Sequence, residues 1–306
     1  MPLVVRNLHK RYGRVTAVQG VSFELREGSV LGLVGPNGAG KTTTIKSILG
    51  FVRPQAGEIL VDGLPAWSRE ARRKLGYVPE LPEAPLWLTP RRLLELLAEM
   101  EGLPRTEARR EAERALEELG LVDHADKRLG ALSKGLRKRV LIAQSLLNIE
   151  AKRYILMDEP MSGLDPEWVS RLRGLIRRLR EQGVGILVSS HLLRELEGLA
   201  DEVVIISRGR VVYKGGLEEL AARMKVGGVV EARVSDARRV AEVLRSSGLV
   251  ERVEVEGDVV RAWVARDADT SSVVKLIYDA GVNVLSVEAK RVSLEDAYRR
   301  LVSEAR

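Results

Sequence analysis

The sequence predicts an α/β protein, with a largely parallel sheet covered by helices over residues 1–220 and a small α+β domain over residues 221–306. Two observations lead to this prediction. Buried-strand patterns alternate with helical patterns up to about residue 220. The pattern then changes to short strands and helices in the order βαββαβ. We therefore expect two domains in this chain of 306 residues.

Continuous apolar runs and a Gly-rich stretch define the first domain. Such runs are typical of strands that are covered on both faces. The segment Pro166–Arg180 is predicted to be a helix, with proline in its first turn. A second region, Arg91 to about Asn148, is almost purely helical in pattern. The predicted strands are Leu3–Leu8, Val21–Leu25, Val30–Val34, Tyr154–Met157 and Gly185–Ser189.

The βαββαβ order of the second domain is the order of a ferredoxin-like split arrangement. Its one hairpin signal is the turn Glu256–Asp258. A final helix is predicted from Ser293 to the end of the chain, and Gly215–Gly228 is predicted to join the two domains. The predicted elements are Val229–Val234, Ala237–Ser246, Arg252–Glu256, Val259–Ala265, Ser271–Ala280 and Asn283–Ala289.

Composition narrows the classes of function. The chain has no cysteine and only three histidines, which argues against disulfides and cysteine- or histidine-rich metal sites. No apolar run approaches the roughly 20 residues of a spanning helix, so a membrane role is expected to need a partner. The formal charge is +7, but acidic residues slightly outnumber basic ones from Val229 onward. We therefore expect no dedicated nucleic-acid surface.

A complete phosphate-binding pattern, GxxxxGK[ST], follows the predicted strand Val30–Val34 and opens a helix. Its glycines let backbone N–H groups turn inward around phosphates, and the helix N-terminus adds the positive end of its dipole. Lys41 is predicted to bridge the β- and γ-phosphates of ATP, and Thr42 to ligate Mg²⁺. The predicted nucleotide-binding residues here are Gly35, Pro36, Asn37, Gly38, Ala39, Gly40, Lys41, Thr42 and Thr43.

Two carboxylates, Asp158 and Glu159, end the apolar strand Tyr154–Met157. Asp158 suits the Mg²⁺ position of a phosphate-loop ATPase, and Glu159 is placed to orient or deprotonate the attacking water. His191 ends another predicted strand, and its residue type leaves two roles open. It either begins a predicted helix Leu192–Leu199, or it senses the γ-phosphate as a neutral imidazole bonded to phosphate and to a neighbouring carbonyl.

The segment Leu132–Leu136 lies between the phosphate loop and the Asp-Glu strand. Together with those motifs it resembles the LSGGQ signature of the ATP-binding cassette (ABC) ATPases. The resemblance spans about residues 3–220 and implies a RecA-like core sheet, an antiparallel β subdomain and a helical subdomain at about 85–150. It also implies that Ser133 and Gly135 donate to the γ-phosphate held by a second subunit. Lys134 and Leu136 depart from the family pattern.

The same resemblance implies further roles. Tyr12 matches the aromatic residue that stacks on adenine, and His191 matches the switch histidine. Ser162–Asp165 matches the loop through which the two subunits communicate. Glu80 occupies the position of the usual Mg²⁺-sensing glutamine, where a carboxylate oxygen can still ligate the ion. The Pro-rich segment Leu81–Pro90, with Trp87, corresponds to the groove that receives a cytoplasmic helix of the membrane partner.

The resemblance therefore implies an ATP-hydrolysing subunit that works as a homodimer or heterodimer and drives a separate transmembrane permease. It would be cytoplasmic and peripheral, on the inner face of the cell membrane. The tail Val292–Tyr298 resembles the closing segment of drug-resistance and multidrug-export cassettes, which favours export. The alternatives are an importer subunit, a soluble ABC ATPase acting on nucleic acid or the ribosome, and a phosphate-loop kinase. The second domain is either a small-molecule sensor or a dimerisation and stabilising element.

Overall fold

The computed structural model describes residues 1–80, 84–217, 219–220, 228–265, 268–290, 298 and 301. The chain divides into two compact units, Met1–Gly215 and Gly216–Glu304. The final helix predicted from Ser293 lies largely outside the described residues, as does most of the tail Val292–Tyr298 and of the join Gly215–Gly228.

The strands of the first unit form two sheets. One is antiparallel in the order β2-β1-β4-β5. The other has the order β10-β9-β3-β8-β7-β6 and is parallel apart from β10. These strands are β1 (Leu3–Tyr12), β2 (Val15–Leu25), β3 (Val30–Val34), β4 (Ala56–Val61), β5 (Leu64–Pro65), β6 (Leu75–Val78), β7 (Tyr154–Met157), β8 (Gly185–Ser190), β9 (Glu202–Ser207) and β10 (Arg210–Gly215).

The parallel sheet positions the candidate site. Every residue of β3, β7 and β8 is buried, as their apolar composition predicts for strands covered on both faces. The three strands are adjacent and parallel, so their carboxyl ends meet at one edge of the sheet. The phosphate loop, the Asp-Glu pair and His191 all follow these carboxyl ends. In open α/β sheets, this is the edge where ligands bind.

Four of the six helices described in the first unit begin at a side-chain cap, namely Ser68, Thr89, Ser133 and Asp165. Ser133 Oγ accepts a hydrogen bond from the Leu136 N–H, and Asp165 caps the following helix in the same way. The proline predicted in the first turn of that helix is confirmed. The helices are α1 (Lys41–Ile48), α2 (Arg69–Arg73), α3 (Pro90–Met100), α4 (Arg105–Glu118), α5 (Lys134–Ser145) and α6 (Pro166–Glu181).

The helix predicted over Leu192–Leu199 is wrong. The structure has only a short 3₁₀ turn at Leu193–Glu195, followed by further turns. Ser190 explains the difference, because its hydroxyl accepts from the Leu192 N–H and donates to the Glu195 carboxylate. Such local side-chain bonds compete with the hydrogen bonds of a helix. Gly198, with φ of 63°, then turns the chain away.

The second unit has the predicted ferredoxin-like arrangement. Its sheet has the order β12-β13-β11-β14, and each neighbouring pair is antiparallel. The buried core is aliphatic and lies between the sheet and the helices. No described helix combines the length and apolar character needed to cross a bilayer. The elements are β11 (Val229–Val234), α7 (Ala237–Ser246), β12 (Val250–Glu256), β13 (Val259–Val264), α8 (Thr270–Asp279) and β14 (Val284–Lys290).

Candidate active site

The phosphate loop is fixed on both sides by main-chain hydrogen bonds. Gly35 N–H donates to the Ser190 carbonyl at 3.2 Å, and the Ala39 carbonyl accepts from the Gly209 N–H at 3.0 Å. Gly40 begins α1 with φ of 108°, and a Cβ there would lie 2.4 Å from the Ala17 carbonyl oxygen. Only glycine fits this position. The loop therefore presents its backbone N–H groups from a rigid frame at the N-terminus of α1.

Lys41 lies buried beneath the loop that contains it. Its ammonium donates to the Gly35 carbonyl oxygen at 2.6 Å and lies 3.2 Å from Glu159 Oε1. The structure thus brings together the lysine predicted to bind phosphate and the carboxylate predicted to activate water. A buried ammonium and a buried carboxylate in contact compensate part of each other's desolvation.

Glu159 also contacts His191, so its carboxylate is held from both sides. Its Oε2 lies 2.9 Å from His191 Nδ1. Because a carboxylate only accepts, this contact requires a proton on Nδ1. In a neutral imidazole Nε2 is then an acceptor, so donation to a phosphate oxygen needs the imidazolium form. The neighbouring group bonded to His191 is thus a carboxylate, where the sequence led us to expect a carbonyl.

The backbone of Glu159 is strained. Its φ is 45°, in the left-handed region that non-glycine residues rarely adopt. Such a conformation costs about 1 to 3 kcal/mol and persists only where the surroundings enforce it. Here the Glu159 N–H donates to Ser189 Oγ at 2.9 Å, which helps to hold the turn. The strain aims the carboxylate toward Lys41 and His191.

Ser189 is a residue of the site that the sequence analysis missed. Its hydroxyl donates to Asp158 Oδ1 at 2.6 Å while accepting from the Glu159 N–H, so it ties the two carboxylate residues together. Ser189 is completely buried at the end of β8. A pair of serines ending a buried strand next to His191 was the signal that could have identified it.

Asp158 tests whether the site fits a magnesium ion. Its carboxylate is completely buried, and Oδ2 has no hydrogen-bond partner among the described residues. An unsatisfied buried carboxylate oxygen is costly, and a hard cation is a suitable partner for it. The described residues contain no cluster of three or more acidic, histidine or cysteine side chains that could hold a metal alone. The donor set therefore fits Mg²⁺ only together with phosphate oxygens, which is usual for this ion.

Ser133 and Gly135 lie apart from this cluster at the N-terminus of α5. The Ser133 hydroxyl, which is exposed, accepts from the Leu136 N–H at 3.2 Å within its own helix. Lys134 stands at the first glycine of the family signature, and its side chain lies across Gly163. A Cβ on Gly163 would lie 3.0 Å from Lys134 Cε, so the lysine stem packs on this glycine. The signature segment and the segment Ser162–Asp165 are therefore in contact within one chain.

The remaining predicted site residues are placed as follows. Tyr12 ends β1 with 47% of its surface exposed, and the Lys10 ammonium lies 5.0 Å from its ring centroid. Thr42 and Thr43 are half-buried in the first turn of α1. Glu80 is exposed and follows β6, the strand next to β7.

Comparison with known proteins places the chain in a family. The profile described as ABC transporter matches residues 18–162. The chain is 37% identical over 267 residues to the Nod factor export ATP-binding protein I of Ralstonia nicotianae, covering 87% of this chain and 82% of that protein. It is 31% identical over 307 residues to the linearmycin resistance ATP-binding protein LnrL of Bacillus subtilis, covering 98% and 97%. It is 30% identical to the bacitracin transport ATP-binding protein BcrA of Bacillus licheniformis, covering 97% and 95%.

Solved structures of ATP-binding cassettes resemble this chain in fold. An ATP-binding subunit of an ABC transporter is 34% identical, with a TM-score of 0.66 over 73% of this chain and 93% of its own. A dimeric ATP-binding cassette in a post-hydrolysis state with ADP and Pi has a TM-score of 0.65 at 24% identity, covering 70% of this chain and 98% of its own, which supports the fold alone.

The fold and the site define a phosphate-loop ATPase of the cassette type, with a RecA-like core sheet, an antiparallel β subdomain and a helical subdomain. The chain belongs to the family of ABC transporter ATP-binding proteins. It is an ATP-binding and ATP-hydrolysing subunit of an ABC transporter.

Proposed function

We propose that two of these subunits, identical or related, close around two Mg²⁺-ATP molecules and so drive a separate permease that exports its cargo. One observation supports this proposal above the others. Lys41, Glu159 and His191 are joined by contacts inside one chain, whereas the signature residue Ser133 is exposed at a helix N-terminus. A site with its catalytic groups on one chain and exposed donors on the other suits assembly from two copies.

The N-terminus of α5 has the chemistry to bind a phosphate of a second chain. A helix of this length concentrates unpaired N–H groups and a positive partial charge at its start. The Ser133 hydroxyl is exposed beside them, and it can donate its proton to a phosphate oxygen while its oxygen still accepts from the Leu136 N–H. Loss of the γ-phosphate removes this contact, and the pair then opens. The closing and opening of the pair is the motion that a permease can use.

The chain's own groups divide the chemistry of hydrolysis among them. Glu159 accepts the proton of the attacking water, and its contacts with Lys41 and His191 fix the direction of its carboxylate. Lys41 neutralises phosphate charge as the bond breaks. Asp158 and Thr42 would hold Mg²⁺, with Glu80 at its edge, and the ion would supply positive charge to the β- and γ-phosphates. All of these groups act by position and charge.

Export is supported by the relatives. The matches that cover more than four fifths of both chains include proteins described as acting in Nod factor export and linearmycin resistance. The second of these covers 98% of this chain, so the resemblance includes the C-terminal unit as well as the cassette.

Complementation between two inactive variants tests the shared site. Lys41→Ala removes the ammonium that is proposed to bind phosphate in the phosphate loop. Ser133→Glu places a carboxylate, which repels phosphate, at the N-terminus of α5. Each variant alone should hydrolyse ATP at less than about a hundredth of the normal rate. Mixed in equal amounts, they should recover measurable activity, because one site of the heterodimer is then intact. A mixture as inactive as its components would contradict a site built from two chains.

A cleft of about 330 Å³ next to β6 supports a docking surface for the permease. It is largely apolar, and at its rim Phe51 is 65% exposed and Met100 is 81% exposed. Phe51 meets the ring of Tyr77 edge-on, at 6.0 Å between ring centroids. Exposed apolar side chains around one cleft mark a contact site. We place the cytoplasmic helix of the permease here, which locates the subunit on the inner face of the membrane.

The sequence analysis placed this groove at Leu81–Pro90 with Trp87, so two surfaces can be compared. Trp87 is 71% exposed, and residues 81–83 lie outside the described part of the chain. Tagged wild type, Phe51→Ser and Trp87→Ser should be purified from membranes and the bound multispan protein quantified. Loss of the permease with Phe51→Ser alone supports the cleft next to β6. Loss with Trp87→Ser alone would instead place docking at residues 84–90.

A further inference from the structure

Lys138 lies on the buried face of α5 and has an unusual set of partners. It is 3% exposed, and its ammonium donates to the carbonyl oxygens of Glu80 at 3.0 Å, Pro79 at 3.1 Å and Asp158 at 3.4 Å. All three acceptors are neutral main-chain groups. The residue thus links the signature helix to the segment after β6 and to the end of β7.

A second buried lysine in the same chain shows how a purely structural ammonium is satisfied. Lys152 is also buried, and it pairs with the Glu101 carboxylate at 2.8 Å. Burial without a directly paired carboxylate is the more expensive case. Lys138 is therefore held in a place where it costs stability, as residues at functional sites often are.

The three carbonyls belong to the segments that position the candidate metal ligands. Glu80 and Asp158 are both predicted Mg²⁺ ligands, one from each of the adjacent parallel strands β6 and β7. The Asp158 N–H also donates to the Val78 carbonyl at 2.8 Å, but this bond precedes the turn that carries Glu80. Among these contacts, only the Lys138 ammonium reaches the main chain of both Glu80 and Asp158.

We propose that Lys138 is a positioning residue of the ATPase site, which fixes the main chain of Glu80 against that of Asp158 and thereby sets the spacing of the two metal-side carboxylates. This inference rests on the proposed Mg²⁺ role of those residues. Because Lys138 is part of α5, the spacing then depends on where the signature helix lies. When the pair closes on ATP, a shift of α5 would therefore change the spacing of the Glu80 and Asp158 carboxylates, although Ser133 does not contact them.

The test compares nucleotide affinity with and without magnesium, so that it does not depend on turnover. Lys138→Met keeps the apolar stem and removes the donors, and Lys138→Gln keeps two N–H donors. Lys152→Met removes the other buried ammonium as a matched control. A fluorescent ATP analogue is titrated into each protein in excess Mg²⁺ and in EDTA, and the thermal midpoint of each protein is recorded.

We expect Lys138→Met to lose about tenfold of the affinity gained from Mg²⁺, which is about 1.4 kcal/mol. Its affinity in EDTA should stay within about twofold of wild type, and Lys138→Gln should recover part of the loss. Lys152→Met should lower the thermal midpoint without changing the gain from Mg²⁺. Equal changes in Lys138→Met and Lys152→Met would overturn the positioning role alone. A wild type whose affinity is the same in Mg²⁺ and EDTA would instead overturn the magnesium assignment, and this inference with it.

Discussion

Two regions of the cassette that we propose to contact the same phosphates are built in opposite ways. The cluster of Lys41, Glu159 and His191 is connected by contacts of about 3 Å, and its lysine and glutamate are buried. The signature segment, Ser133–Gly135, is mostly exposed and begins a helix. The first region has its charged groups compensated within the chain. The second has an exposed serine hydroxyl that accepts a hydrogen bond as a helix cap, which leaves its proton for another acceptor.

This difference indicates what each region can do alone. A buried, preorganised cluster can bind and polarise nucleotide without a partner. An exposed helix start gains from contact only when an anion is brought to it. Changes in the cluster should therefore alter chemistry, whereas changes in the signature segment should alter association.

The largest effect is expected for Glu159→Gln. Glutamine keeps the shape of the side chain but cannot accept a proton, so kcat should fall about a thousandfold while ATP still binds. The ATP-bound pair should then accumulate, because the γ-phosphate that bridges the chains is retained. Phosphate release and size-exclusion chromatography with ATP measure both outcomes. Hydrolysis at the normal rate would show that Glu159 is not the base.

Next in size is Ser133→Ala, introduced into the Glu159→Gln chain. Removing one hydrogen bond to a charged phosphate should raise the ATP concentration for half-maximal pairing by about tenfold. Binding of ATP to the single chain should not change. Ser68→Ala is the matched control, because Ser68 caps α2 as Ser133 caps α5, with its hydroxyl accepting from the Ala71 N–H at 3.0 Å. An equal shift in both variants would mean that the effect comes from helix capping.

A smaller effect is expected for Glu80→Gln, which removes a negative charge from the edge of the cluster. Affinity for ATP in EDTA should rise about two- to fivefold, because an exposed charge pair contributes about 0.2 to 1 kcal/mol. Affinity in excess Mg²⁺ should change less, since the ion screens the carboxylate from the phosphate. Titration of a fluorescent ATP analogue under both conditions measures the effect. Unchanged affinity in EDTA would place Glu80 away from the phosphates.

The smallest effect is expected for Asp62→Asn, outside both regions. The Lys74 ammonium, followed by the chain's amino terminus, lowers the pKa of Asp62 to about 2 from its usual 3.8. A lowered carboxyl pKa stabilises the fold above the usual value, and that contribution disappears as pH falls from 3.8 toward 2. At neutral pH the variant should lose less than about 1 kcal/mol, since the pair is partly exposed.

Urea denaturation at neutral pH and near pH 2 measures this difference in stability. The midpoints of Asp62→Asn and wild type should converge at the lower pH, and a gap that persists there would contradict the ion pair. ATP hydrolysis and ATP-driven pairing should both stay normal. Asp62→Asn is therefore a control. It shows how much a change in stability alone alters ATP hydrolysis and ATP-driven pairing.

Local patterns predicted many elements well. The bounds predicted for Val30–Val34, Tyr154–Met157, Val229–Val234 and Ala237–Ser246 are those of the structure. Each is a run whose apolar pattern and ends are set by neighbouring residues. Leu192–Leu199 failed because the Ser190 hydroxyl holds the Leu192 N–H and the Glu195 carboxylate in a local turn, and only a short 3₁₀ turn follows.

Part of the site was predictable in the same local way. The phosphate loop and the Asp-Glu pair are contiguous segments, so spacing along the chain reveals them. Ser189 and Lys138 were missed because their hydrogen-bond partners are distant in sequence. The partners of Ser189 lie 30 and 31 residues away, and those of Lys138 lie 20 to 59 residues away. A signal did exist for Lys138, which falls three and four residues before the buried Leu141 and Ile142 of α5.

The sequence alone determined the cassette class, the phosphate loop and the βαββαβ order of the second unit, because these depend on residue types and short spacings. Only the tertiary structure decided that Glu159 is shared between Lys41 and His191, and that Lys138 reaches two main-chain segments. Hydrogen bonds and ion pairs act over about 3 Å, whatever the separation along the chain. Which distant residues come that close is settled when the parallel strands pack side by side.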